Sequence, residues 1–319
     1  MHGAGGRASY ALDVLTVLCG GVGAARLLAG LAQVVDESTL TCVINVGDDL
    51  VVHGLHISPD IDTVTYTLAG LHNDVTGWGV ADESWRVMEE LAEIGGPVWF
   101  RLGDRDLATH LFRTGRLRAG ASLADVTGEL ARARGVRATM LPVTNDVLAT
   151  MLTTASGERL SFQEYFVARH HDVEVSKVEF LGAADAIPAP GVVNAIRDAT
   201  RVVLAPSNPL VSIDPILAVP GVASAIASRR EHVIAVSPIV EGAAIKGPAD
   251  RLLRELGHES SALGVARLYE GLVGTFVIDE RDGSLASSVE RLGMRCVVTD
   301  TMMIDRSRAA ALARAIVDA

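Results

Sequence analysis

The sequence predicts an α/β fold: a Rossmann-like, doubly wound and mostly parallel sheet with a small inserted α+β subdomain. Three observations predict it. Short β-branched runs alternate with helical patterns along most of the 319 residues. Loops rich in Gly, Asp or Ser follow several of those runs. One stretch near the middle breaks the alternation with a hairpin pattern. A chain of this length buries roughly 75% of its unfolded surface, so its core needs no disulfide framework.

The elements follow in chain order. Residues 1–11 read as a flexible tail, because Asp13 interrupts the apolar stretch that a secretion signal would need. Val14–Leu18 is the first expected strand, and Leu27, Leu28, Leu31, Val34 and Val35 recur at helical spacing behind its glycine loop. Strands are next expected at Leu40–Val46 and Val98–Leu102, the second leading into a helix that carries Leu107, Leu111 and Phe112. Ser122 is placed to cap a helix over 123–134 that Gly135 stops. Val147–Thr154 and Glu158–Leu160 are the expected hairpin arms, with Ser156-Gly157 in the turn, and residues 136–184 read as the inserted subdomain. The nucleotide-binding core then takes residues 12–135 and 185–319. Its later strands are expected at Arg201–Leu204, Val233–Val236, Thr275–Ile278 and Cys296–Thr299.

Composition narrows the function. Hydrophobic residues at 49% and charged residues at 21% exclude wholesale disorder. With 28 basic against 39 acidic residues the net charge is −11, which argues against a nucleic-acid partner. A phosphorylated ligand must therefore be held by local loops or a metal. No apolar run approaches the ~20 residues of a membrane span. Cys19, Cys42 and Cys296 form no CxxC pair and read as small hydrophobes in a reducing cytoplasm.

In such sheets ligands gather at the carboxyl ends of the strands. The first loop there is Cys19-Gly20-Gly21-Val22-Gly23-Ala24-Ala25-Arg26, whose glycines let backbone N–H groups approach a phosphate. Arg26 replaces the third glycine of GxGxxG and no acidic ribose hook follows, so a dinucleotide fingerprint is not met. The second loop holds Asp48, Asp49, Asp60 and Asp62, hard oxygen ligands suited to Mg²⁺ or Ca²⁺ beside a diphosphate. Asp60 or Asp62 would otherwise cap a helix beginning near Thr63. In Gly103-Asp104-Arg105-Asp106, Asp104 is a candidate N-cap, while Arg105 and Arg113 offer planar donors to phosphate. His110 reads as an ordinary helix residue. Ser207 and Asn208, fixed between two prolines, keep donors and acceptors available, and Lys246 stands beside a glycine at a helix start. Phe162, Tyr165 and Phe166 read as core packing or a stacking wall for a flat ring, and His170-His171-Asp172 as surface.

Several ordered motifs, taken together, resemble the 2-phospho-L-lactate transferase family of coenzyme F-420 biosynthesis, in particular its actinobacterial phosphoenolpyruvate transferase branch. They are GGVGAAR at 20–26, INVGDD at 44–49, SPDIDTVTYTLAG at 58–70, WFRLGDRDLATHLFRTG at 99–115, FQEYFV at 162–167, APSNPLVSIDPIL at 205–217 and VSPIVEGAAIKGPAD at 236–250. The family's first loop usually carries a second glycine pair, where this chain has Ala24. The resemblance implies a cytoplasmic homodimer. It would move a phosphoenolpyruvyl or 2-phospholactyl group from a guanosine-diphosphate-activated three-carbon acid to the ribityl hydroxyl of the deazaflavin Fo, releasing GMP. It further implies Asp48 and Asp49 as catalytic, and Asp49, Arg105 and Asp104 at Fo. Gly20, Gly21, Gly23, Ser207, Asn208 and Lys246 would hold the nucleotide, with Asp48 and Asp62 on Mg²⁺. The competing class is a non-catalytic UDP-sugar binder of the gluconeogenesis-factor type, whose acidic loop continues with glycines and serines where this one has Leu50-Val51-Val52-His53-Gly54.

Overall fold

The structure, a computed structural model, describes residues 14–73 and 77–319, so the tail expected over 1–11 lies outside the described residues. Seven strands form the central sheet in the order Arg295–Thr299, Thr275–Asp279, Val233–Val236, Arg201–Leu204, Leu15–Cys19, Leu40–Ile44, Thr139–Pro142. Every neighbouring pair is parallel. Leu15–Cys19 and Val233–Val236 are buried along their whole length, as strands covered on both faces must be. From Leu15–Cys19 the order runs one way to Leu40–Ile44 and the other way to Arg201–Leu204. That reversal opens a crevice at the carboxyl ends, between the loops that begin at Gly20 and Ala205.

The helix Gly21–Leu31 packs on the helix Arg306–Val317. Their approach is close enough that a Cβ at Gly30 would sit 2.3 Å from the Ala309 carbonyl oxygen. Among the described residues no helix is long and apolar enough to cross a membrane.

Four expectations are corrected. Val98–Leu102 is not a strand: it follows Gly95-Gly96-Pro97 as a loop. Leu102 and Phe100 pack with Ile57 and Met88 in a satellite cluster, which satisfies the same apolar residues without a ladder. The sheet edge is taken instead by Thr139–Pro142, a short strand ending in proline, which an edge tolerates. The boundary expected at residue 136 thus precedes a strand of the main sheet. The antiparallel sheet beyond it centres on Ala149–Thr154, flanked by Arg159–Ser161 and Val175–Leu181. The helix expected to start near Thr63 begins at Pro59, so Asp60 and Asp62 lie in its first turn rather than at its cap. Asp104 is the first residue of the helix Asp104–Arg118 rather than its cap. Its carboxylate accepts from the backbone N–H groups of Arg86 and Val87, both at 3.2 Å, where the helix Arg86–Glu93 needs partners.

Candidate active site

The crevice holds a cavity of about 570 Å³. Gly20, Gly21, Gly23, Ser207, Asn208 and Lys246 all line it, as do Asp48 and Asp62. The glycines are dictated by approach. A Cβ at Gly20 would meet Asp60 Oδ2 at 2.5 Å, one at Gly23 the Pro206 carbonyl oxygen at 2.3 Å, and Gly21 adopts φ +73°. Ser207 Oγ donates to the Gly20 carbonyl at 2.8 Å and ties the two loops together.

At one end the wall is acidic. Asn45 Nδ2 donates to Asp48 Oδ1 at 3.1 Å and to Asp60 Oδ2 at 2.9 Å, so a single amide bridges two buried carboxylates. Gly21 N–H donates to Asp60 Oδ1 at 2.7 Å, joining the glycine loop to the acidic pair. Burial and the neighbouring Asp60 push the Asp48 carboxyl well above the usual range. Burial pushes Asp60 up to about 6, against the opposing hydrogen bonds from Asn45 and Gly21. Asp49 stands behind them, outside the cavity lining. Its Oδ2 accepts from Ser58 Oγ at 2.7 Å and faces His56 Nε2 at 3.0 Å, while Oδ1 is buried without a partner. Burial raises its pKa, partly offset by His56 and Ser58.

Asp62 is held differently. Arg113, fully buried, grips both of its carboxylate oxygens, so this arginine is committed to the protein and is not the phosphate donor its sequence position suggested. Beside that pair, Tyr66 O–H donates to Asp106 Oδ1 at 2.6 Å, and His110 Nε2 lies 3.2 Å from Asp106 Oδ2. Tyr66, Asp106 and His110 line the cavity, so His110 is not an ordinary helix residue. Asp106, His110 and Arg113 fall at i, i+4 and i+7 on one helix, a spacing that could have marked them as one face.

Another part of the cavity is basic and apolar. Lys246 and Arg26 line it, and burial together with the Arg26 charge lowers the Lys246 pKa. Arg26 donates to the Met303 carbonyl at 3.3 Å, and Thr301–Ile304 form a wall that no sequence motif announced. Along the side, Phe162 and Phe166 stack at 5.5 Å and 12°, and His171 stacks on Phe166 at 5.4 Å and 24°. Phe162, Phe166 and His170 line the cavity, so the aromatic segment is more than core packing and His170 more than bare surface. His170 and His171 both adopt positive φ, +49° and +45°. Asp104 and Arg105 do not line the cavity. Arg105 N–H donates to Glu83 Oε2 at 2.7 Å and its guanidinium to the Ala81 carbonyl.

A divalent cation fits the Asp48–Asp60 end on the chemistry of the donors. Two buried carboxylates share one neutral amide, and the charges that bear most on them are other carboxylates.

Solved structures of a UPF0052-family protein, BH3568 of Bacillus halodurans, share the fold: one superposes with a TM-score of 0.63 at 15% identity, covering 97% of this chain and 100% of that one. The phosphoenolpyruvate transferase of Streptomyces griseus is 44% identical over 305 residues, 94% of this chain and 96% of the relative. The 2-phospho-L-lactate transferase of Methanosarcina acetivorans is 38% identical over 303 residues, 95% and 98% of the two chains. The family model for 2-phospho-L-lactate transferase CofD matches residues 15–317, from the first strand of the sheet to the end of the last helix, and the chain belongs to that family of transferases.

Proposed function

We propose that the cavity transfers the phospho-acyl group of a guanosine-diphosphate-activated three-carbon acid to the terminal ribityl hydroxyl of the deazaflavin Fo in coenzyme F-420 biosynthesis. The hydroxyl oxygen bonds to the phosphorus that carries the acid, the phosphoanhydride bond breaks, and GMP leaves. The observation that carries this reading is the pairing of Asp48 with Asp60 across Asn45, hydrogen-bonded to the glycine loop in the cavity that the stacked Phe162–Phe166 pair also lines.

Phosphoryl transfer asks mainly for positioning and for neutralisation of developing charge. Gly20 and Gly23 offer backbone N–H groups to the diphosphate while Gly21, its N–H taken by Asp60, shapes the turn; Lys246 and Arg26 offer cations, and Ser207 and Asn208 flank the nucleotide. Phe162 and Phe166 offer a flat apolar wall to the deazaflavin ring. Asp48 lines the cavity and would orient the attacking hydroxyl, whose proton passes to solvent as the new bond forms, and Asp49 supports the loop behind it. Asp104 and Arg105 act on Fo at one remove, by fixing the 81–87 segment. Mg²⁺ would be held by Asp48 and Asp60 rather than by the expected pair Asp48 and Asp62, since Arg113 grips both Asp62 oxygens, and it would supply charge neutralisation at the diphosphate. The protein is read as a cytoplasmic homodimer, and its three cysteines are free thiols.

The test follows Fo fluorescence on titration with wild type and Asp48→Asn, then adds the guanosine-activated acids with Mg²⁺ and assays GMP. Fo binding with GMP release, and release lost in Asp48→Asn, is the expected result. Binding of UDP-sugars without Fo binding or GMP release would overturn the reading in favour of a sugar-nucleotide module.

A further inference from the structure

Asp62, Asp106 and His110 each place one ligand atom within 4.8 Å of the others, and all three are buried. Two carboxylates and an imidazole would suit Zn²⁺, Mn²⁺ or Fe²⁺ better than Mg²⁺, and transition-metal affinity at such mixed sites is high. Here the lone pairs a metal would use are taken. Arg113 grips both Asp62 oxygens, and its Nη1 lies 3.3 Å from His110 Nδ1. A guanidinium has only donors, so Nδ1 must accept and the imidazole proton must sit on Nε2. Nε2 carries that proton 3.2 Å from Asp106 Oδ2 without forming a hydrogen bond to it. With Nδ1 accepting from Arg113 and Nε2 protonated, neither ring nitrogen offers a lone pair to a metal.

We propose that Arg113 is a built-in cation, a positioning residue that fixes Asp62 and the His110 tautomer and keeps this cluster free of metal. Divalent metal is thereby confined to the Asp48–Asp60 end, a consequence that rests on the function proposed above. Arg113 is fully buried, and as a guanidinium paired with Asp62 it stays charged at every working pH. Burial would raise the Asp106 carboxyl, but His110, Tyr66 and Arg113 hold it below the usual range. The cluster is therefore already compensated, whereas the Asp48–Asp60 pair is not.

The test uses Co²⁺, whose visible spectrum reports nitrogen ligation, on wild type, His110→Gln, Arg113→Ala and the double variant, with metal stoichiometry from calorimetry. Wild type and His110→Gln should give the same spectrum and stoichiometry. Arg113→Ala should gain an additional equivalent of Co²⁺ with a new spectral band, and the double variant should lose both. A wild-type spectrum that changes with His110→Gln, or a folded Arg113→Ala with no added ion, would overturn the proposal. If Arg113→Ala does not fold, the comparison of wild type with His110→Gln decides alone. Mg²⁺ binding by the wild type is measured separately, so a failure of the proposed Mg²⁺ site is not mistaken for a failure of this one.

Discussion

Replacing Asp62 by Asn keeps the side chain's shape and removes its charge, leaving the Arg113 guanidinium buried against a new amide donor. Asp62 is 8% exposed and Arg113 0%, so neither group can recover its hydration by a small shift. Breaking a buried pair of this kind costs about 3–5 kcal/mol, against about 0–1 kcal/mol for a surface pair. At about 2–4 °C per kcal/mol, the melting temperature should fall by roughly 6–20 °C. Replacing both partners with apolar groups, Asp62→Leu with Arg113→Met, removes the stranded charge and should be well above the Asp62→Asn single variant in stability. Thermal and urea melts of wild type, both singles and the double variant give the coupling energy directly. An Asp62→Asn variant within about 1 kcal/mol of wild type, or effects that simply add, would refute the claim that the two charges are desolvated together.

Three further outcomes follow from the same geometry. Gly23→Ala places a Cβ 2.3 Å from the Pro206 carbonyl oxygen, which is backbone and cannot swing away; it should cost about 1–3 kcal/mol in a melt and raise the donor KM by displacing Ser207 and Asn208. Asn45→Ala removes the amide shared by Asp48 and Asp60 and should weaken Mg²⁺ binding about 10–100-fold by calorimetry, with Fo binding less affected. Burial pushes Asp214 up to about 7 from 3.8, so its folded-state pKa is raised: the stability linked to it is full below pH 4 and lost as pH rises through 7. Asp214→Asn should therefore gain on wild type by up to about 4 kcal/mol between pH 4 and pH 8, and a constant difference across that range would count against a raised pKa for this half-buried carboxyl.

What the sequence made legible was what obeys local rules. Leu15–Cys19 and Val233–Val236 read as continuous apolar runs because both faces are covered, and the glycine loop stood out because close approach demands Gly20 and Gly23 and a positive φ demands Gly21. Thr139–Pro142 was hidden by its brevity and its proline, and Val98–Leu102 misled because a satellite cluster rewards the same apolar residues that a ladder would. Asp60 was read as one of two possible caps; only Asn45, fifteen residues away, shows that its carboxylate belongs with Asp48. Arg113 read as a phosphate donor, since its partner Asp62 comes from another helix. No local pattern can report such pairings.

The packing of Gly21–Leu31 on Arg306–Val317 also bears on how the protein is made. A chain emerging from the ribosome presents Leu27, Leu28 and Leu31 hundreds of residues before Ala309, Leu312 and Ile316 exist to share their burial. Until then that apolar surface is open to chaperones or to neighbouring nascent chains. The cavity wall formed by Thr301–Ile304 is equally late, because those residues precede that closing helix directly. That wall and the cover over Leu27, Leu28 and Leu31 therefore arrive together, long after the glycine loop that lines the same cavity.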